Sequence, residues 1–126
     1  MVGEQRNPAI DSSVLQAVVE MIGADEPGVM LDLIDTYLQD SQQQVTDLER
    51  AIAAGDYKTL HRMAHSMKSS SATFGATALS KMCESLERSA KDGCANGACA
   101  AEVDSIRTEH VRVVAALELE RSRFQV

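Results

Sequence analysis

From Val14 to Leu117 the apolar residues return every three or four positions, with no alternating run and no hairpin turn signal. A chain patterned in this way can bury its apolar side only as helices packed on helices. Aromatic residues make up 3% of the 126 positions and there is no Trp, so Leu, Val, Ala, Met and Ile must fill the core. Asp and Gly divide the pattern into segments. Asp11 can cap a first short helix with Val14, Leu15, Val18 and Ile22 on one face, closed by Gly23. Asp25 can cap a second, with Glu26 and Pro27 in its first turn and a stripe of Met30, Leu31, Ile34, Tyr37, Leu38, Val45, Leu48 and Ile52. It stops near Gly55, which makes it about 40 Å long at about 1.5 Å per residue.

Asp56 can cap a third helix, with Leu60, Met63, Ala64, Met67, Ser71 and Phe74 on its stripe and Gly75 at its end. A fourth carries Leu79, Met82, Cys83, Leu86 and Ala90 and ends at Gly93. A fifth runs from about Ala98 to about Ser122, with Val103, Ile106, Val113, Val114 and Leu117 inward. Short connections make sequential helices antiparallel. The expected fold is therefore all-α: an antiparallel up-down four-helix bundle with an additional short N-terminal helix laid across one end. Residues 1–126 form one domain, with 1–10 expected to be flexible.

The net charge of −7 disfavours nucleic acid as a partner. The charge is uneven. Between Tyr57 and Lys91 the six cations Lys58, Arg62, Lys68, Lys81, Arg88 and Lys91 meet only Glu84 and Glu87, a local +4 that leaves −11 elsewhere. A cationic patch on an acidic chain suits an acidic, phosphate-bearing protein partner. No apolar run reaches eighteen residues and no signal peptide is evident, so a cytoplasmic protein that does not enter membranes is expected. The odd set Cys83, Cys94 and Cys99 then argues for reduced thiols. Cys83 lies on an apolar stripe as a small core residue. Cys94 and Cys99, in a Gly/Ala-rich stretch, read as a possible redox pair or half of a metal site, but no second pair with zinc spacing accompanies them.

The three histidines differ. The inward stripe of the third helix centres on Leu60, Ala64, Met67 and Ser71, so His65 falls outside it, beside His61, Lys68, Ser69 and Ala72. An exposed imidazole of this kind is a nucleophile in its neutral form, with a cation one turn away and a shelf of small residues. His61 and His65 also have a metal-ligand spacing, but the segment lacks the glutamate of a zinc protease, and Arg62 and Lys68 repel a cation. No metal is expected. His110 lies in step with Val103, Ile106, Val113 and Leu117 and reads as a partly buried, hydrogen-bonded core histidine.

The stretch Ala64-His65-Ser66-Met67-Lys68-Ser69-Ser70-Ser71, continuing through Phe74-Gly75-Ala76 to Leu79, Cys83, Leu86 and Glu87, resembles the histidine-containing phosphotransfer (HPt) family of bacterial and plant phosphorelays. The resemblance implies a four-helix bundle in which His65 is phosphorylated, Lys68 offsets charge on the phosphoryl group and Ser69 stands where most members carry glycine. It implies docking of receiver domains over the third and fourth helices, where His61, Arg62, Ala72 and Glu87 lie. Several members carry glutamine at the position of Glu87. The magnesium of the transfer belongs to the receiver. No glycine-rich phosphate loop follows a strand, so no nucleotide site and no cofactor are expected, and the chain reads as a monomeric phosphocarrier rather than an enzyme. Two alternatives stay open: a chemotaxis-kinase-type histidine domain phosphorylated directly by an ATP-binding domain, and a helical adaptor without phosphoryl chemistry.

Overall fold

The computed structural model describes residues 8–23 and 25–125. Among these residues five α-helices follow one another: α1 (Ser12–Ile22), α2 (Pro27–Ala54), α3 (Tyr57–Thr73), α4 (Thr77–Lys91) and α5 (Ala98–Ser122), with a short 3-10 turn (Ala95–Gly97) before α5. No strand occurs among the described residues. Each of α2 to α5 packs on the next, and α5 closes the ring against α2. The cross-links show the antiparallel sense. Asp35, Ser41 and Glu49, ascending α2, meet Arg121, His110 and Arg107, descending α5. No described helix is long and apolar enough to cross a membrane.

Local chemistry sets most boundaries. Asp11 accepts from the Ser13 amide at the start of α1, and Asp56 from the Thr59 amide at the start of α3. Gly55 ends α2 in the left-handed region at φ 66°, which costs glycine little. The start of α2 departs from expectation. Its cap is Glu26, not Asp25, and it makes no side-chain bond. Pro27 in the first turn marks the start instead, because its fixed φ suits the helix and its missing N–H needs no partner there.

The stripes form one core. On α3 the buried residues are Leu60, Ala64, Met67 and Ser71, and on α4 they are Leu79, Cys83, Leu86 and Ala90. On α1 the buried pair is Leu15 and Val19, while Val14, Val18 and Ile22 are half-buried. On α5 Val114 is half-buried, and Cys99, Glu109 and His110 join the inner face. His110 is hydrogen-bonded as expected, its Nε2 lying 2.8 Å from Ser41 Oγ, and it is buried more fully than its position in the pattern indicates. Tyr37 Oη and Ser71 Oγ form a second buried pair at 2.9 Å.

The first helix is fastened to the end of the bundle where α3 turns into α4. The Asp11 amide donates to the Gly75 carbonyl at 2.7 Å. Gly75 has φ +81°, and a Cβ there would lie 2.7 Å from the Asp11 carbonyl oxygen. Glycine is required at this position for both its conformation and its lack of bulk. The expected flexibility of 1–10 concerns in part residues 1–7, which lie outside the described residues. Ala9 and Ile10 are buried against the core.

The cysteines depart from the all-reduced expectation. Cys94 and Cys99 are joined in a disulfide across the turn between α4 and α5. Compartment and cysteine count carry no information about the turn that brings these two Cα atoms to 5.3 Å. Cys83 is free and buried, as its stripe position requires.

Candidate functional site

The outer face of α3 carries His61, Arg62, His65, Lys68, Ser69 and Ala72, because the four stripe residues hold the opposite face against the core. The His65 side chain keeps 59% of its surface exposed. The neighbouring helix is fastened close to it. Ser80 Oγ of α4 donates to the Lys68 carbonyl at 2.9 Å, and the small residues of α3 allow that approach.

One residue of α4 organises this face. Glu87 reaches over with one carboxylate oxygen 2.7 Å from His65 Nδ1 and the other 2.7 Å from Lys68 Nζ. His61 Nε2 stands 3.8 Å from the oxygen that meets His65. The Glu87 side chain is only 16% exposed. Its carboxyl is held below the usual carboxylate range, chiefly by the hydrogen bond from Lys68 and then by that from His65, with burial working against both. It is therefore ionised at neutral pH and accepts from both partners.

That geometry fixes the imidazole. An ionised carboxylate only accepts, so Nδ1 carries the proton and donates it to Glu87. In the neutral ring the lone pair then sits on Nε2. The arrangement is a nucleophilic nitrogen, with the far side of the ring anchored on an anion and an ammonium group one turn away.

Ser69 is exposed, as anticipated, but its hydroxyl turns back to the His65 carbonyl at 3.4 Å. Ser70 likewise bonds the Met67 carbonyl at 3.3 Å. Arg62 and Ala72 are exposed on the same helix, outside the Glu87 cluster. Arg62 and Lys58 instead help keep the Asp56 carboxyl low, after the dominant hydrogen bonds from Thr59.

From sequence alone Glu87 is placed only on the docking surface. In the structure it is the bridge of the site. One signal points that way: Glu84 and Glu87 are the only acids in the cationic stretch. It does not specify which residue of α3 either one meets, since that depends on the register of two helices.

A family model described as the Hpt domain matches residues 32–121, from the first turns of α2 almost to the end of α5. This chain belongs to the Hpt domain family. A solved structure of similar fold is histidine-containing phosphotransfer protein B (HptB) from Pseudomonas aeruginosa PAO1. It has a TM-score of 0.85 and 32% identity, over 95% of this chain and 100% of that one. A curated relative is Multistep phosphorelay regulator 1 of Schizosaccharomyces pombe, 32% identical over 83 residues. The match takes in 66% of this chain but only 28% of that protein's length. The Hpt match spans His65, Lys68 and Glu87 together and leaves α1 outside, so the site lies wholly within the family's own bundle.

Proposed function

We propose that this chain is a phosphorelay phosphocarrier, which takes a phosphoryl group from the aspartyl phosphate of a receiver domain onto His65 and passes it to the aspartate of another. The observation that carries the reading is the exposed His65 ring with Nδ1 bound to Glu87, which leaves Nε2 as the attacking atom.

In the forward step the Nε2 lone pair attacks phosphorus in line with the aspartyl oxygen. The new N–P bond forms as the P–O bond to aspartate breaks, and the receiver's carboxylate leaves with that electron pair. Nδ1 keeps its proton, so the phosphorylated ring carries positive charge, and the Glu87 carboxylate 2.7 Å away balances it. The second carboxylate oxygen fixes Lys68 one turn along α3, where its charge favours a phosphoryl group at His65. Return to aspartate reverses each bond change. The receiver supplies the magnesium. In this reading the carrier has no nucleotide site of its own and acts as a cytoplasmic monomer.

His61, Arg62, Ala72 and the exposed edge of α4 form the surface on which the receiver docks. Ser69 lies beside His65 on that surface, and its small side chain leaves room for the partner.

The test pairs the chain with phosphorylated receiver domains and follows acid-labile label. Transfer to the wild type and none to folded His65→Gln supports the reading. Transfer that persists in His65→Gln and vanishes in His61→Gln assigns the wrong histidine. A separate incubation with a kinase domain and ATP, without a receiver, tests the chemotaxis-type alternative. No label under any of these conditions leaves the adaptor.

A further inference from the structure

The turn between α4 and α5 holds two cysteines that the phosphotransfer reading does not use. Cys94 follows the last turn of α4 with φ 57°, the only non-glycine among the described residues in the left-handed region. Its amide donates to the Ser89 carbonyl at 2.8 Å and closes the helix end. Cys99 is the second residue of α5 and fully buried. The N-cap of α5 is Gly97, which supplies no side-chain cap. The covalent tie between Cys94 and Cys99 therefore joins the capped end of α4 to the start of α5, which has no side-chain cap of its own.

We infer that Cys94 and Cys99 form a reversible thiol-oxidation site, whose state sets how firmly the end of α4 is tied to the start of α5. The short closed loop keeps the two sulfurs near each other after reduction, so reclosure is intramolecular. Cys94 is 8% exposed and Cys99 0%, and the residues on either side of Cys94 are exposed, so Cys94 is the less buried of the two and the one assigned to meet an incoming reagent. The third thiol does not compete. Cys83 is buried on α4, and burial pushes it up to about 12.

The oxidant is a low-molecular-weight disulfide of the glutathione class. The Cys94 thiolate attacks one of its sulfurs, the S–S bond breaks and one glutathione thiolate leaves. The Cys99 thiolate then attacks Cys94 Sγ and expels the second glutathione. Two protein thiols are oxidised, one glutathione disulfide is reduced, and the thiol protons end on the two glutathiones released. Excess glutathione runs the sequence backwards.

The site adjoins the end of α4 that bears Ala90 and Lys91, which with Tyr57, Lys58 and His61 line a cavity of about 330 Å³. Reduction is therefore expected to loosen one wall of that cavity.

The test equilibrates the full chain in glutathione buffers from fully oxidised to strongly reducing, then traps free thiols with a maleimide for intact mass and peptide mapping. The expected result is a pair that opens and closes with the buffer and maps to Cys94 and Cys99. The oxidised form should melt about 5–10 °C higher, with slower amide exchange over residues 89–99. A Cys94→Ser/Cys99→Ser double variant should lose this dependence. Two outcomes overturn the inference: a pair that stays reduced in oxidised glutathione, or one that stays closed in strongly reducing glutathione. Mapping on the wild-type chain decides between them whether or not the variant folds.

Discussion

Replacing Glu87 with alanine removes one acceptor from two donors at once, since its oxygens lie 2.7 Å from both His65 Nδ1 and Lys68 Nζ. A hydrogen bond to a charged group contributes about 1.5–3 kcal/mol. The His65 ring is 59% exposed, so water replaces part of that loss and about 1–2 kcal/mol remains. The contact grows stronger as the ring gains charge during transfer, so the loss falls on the transition state. At about 1.4 kcal/mol per decade, Glu87→Ala should slow receiver-to-His65 transfer roughly 5- to 30-fold. Glu87→Gln keeps an acceptor for Nδ1–H and loses only the charge, so it should fall between alanine and wild type. Rapid-quench transfer rates, with circular dichroism to confirm folding, give the order. Nitrogen NMR of the His65 ring gives the cause: in Glu87→Ala the proton should redistribute between Nδ1 and Nε2. If Glu87→Ala transfers at the wild-type rate with its tautomer unchanged, the bridge does not organise the ring and the reasoning fails.

On the same face, Lys68→Ala should slow transfer roughly tenfold or more by removing the cation beside His65, and Lys68→Arg should recover part of it. Ser69→Gly should be tolerated and Ser69→Gln should block docking, read in the same quench assay. Gly75→Ala forces a Cβ to 2.7 Å from the Asp11 carbonyl at φ +81° and should destabilise the fold by about 1–3 kcal/mol in urea titration. Unchanged stability would show that α1 is not anchored there. Burial holds the His110 imidazole below its ordinary value, so the unfolded chain binds the proton more readily. Stability should therefore fall as pH drops below about 6.5 toward the depressed folded value, by at most about 1.4 kcal/mol per pH unit. Urea midpoints at pH 7.5 and 5.5 should show that extra loss in the wild type and not in His110→Gln.

What was legible in the sequence was local. The burial of Leu60, Ala64, Met67 and Ser71 follows from a 3.6-residue period, and that alone turns His65 outward. Asp11, Gly55 and Asp56 cap as their types dictate. The departures depend on register between distant segments. The meeting of Glu87 with His65 and Lys68 requires α4 to sit at one height along α3, which the Ser80–Lys68 carbonyl bond helps to set. The Cys94–Cys99 bond depends on a left-handed residue in a turn, at a position where cysteine gives no such signal. Ser41 and Ser71 interrupt apolar stripes, and only the packed bundle reveals their partners in His110 and Tyr37.

The central claim is that His65 is the acceptor and that Glu87 leaves Nε2 as the attacking atom. Phosphorus and nitrogen NMR of the chain, phosphorylated by a receiver domain, tests it most directly. The account predicts a single phosphohistidine at residue 65, bonded through Nε2, with the Nδ1 proton retained and shifted by its bond to Glu87. Phosphate on Nδ1 of His65, or on His61, would contradict it.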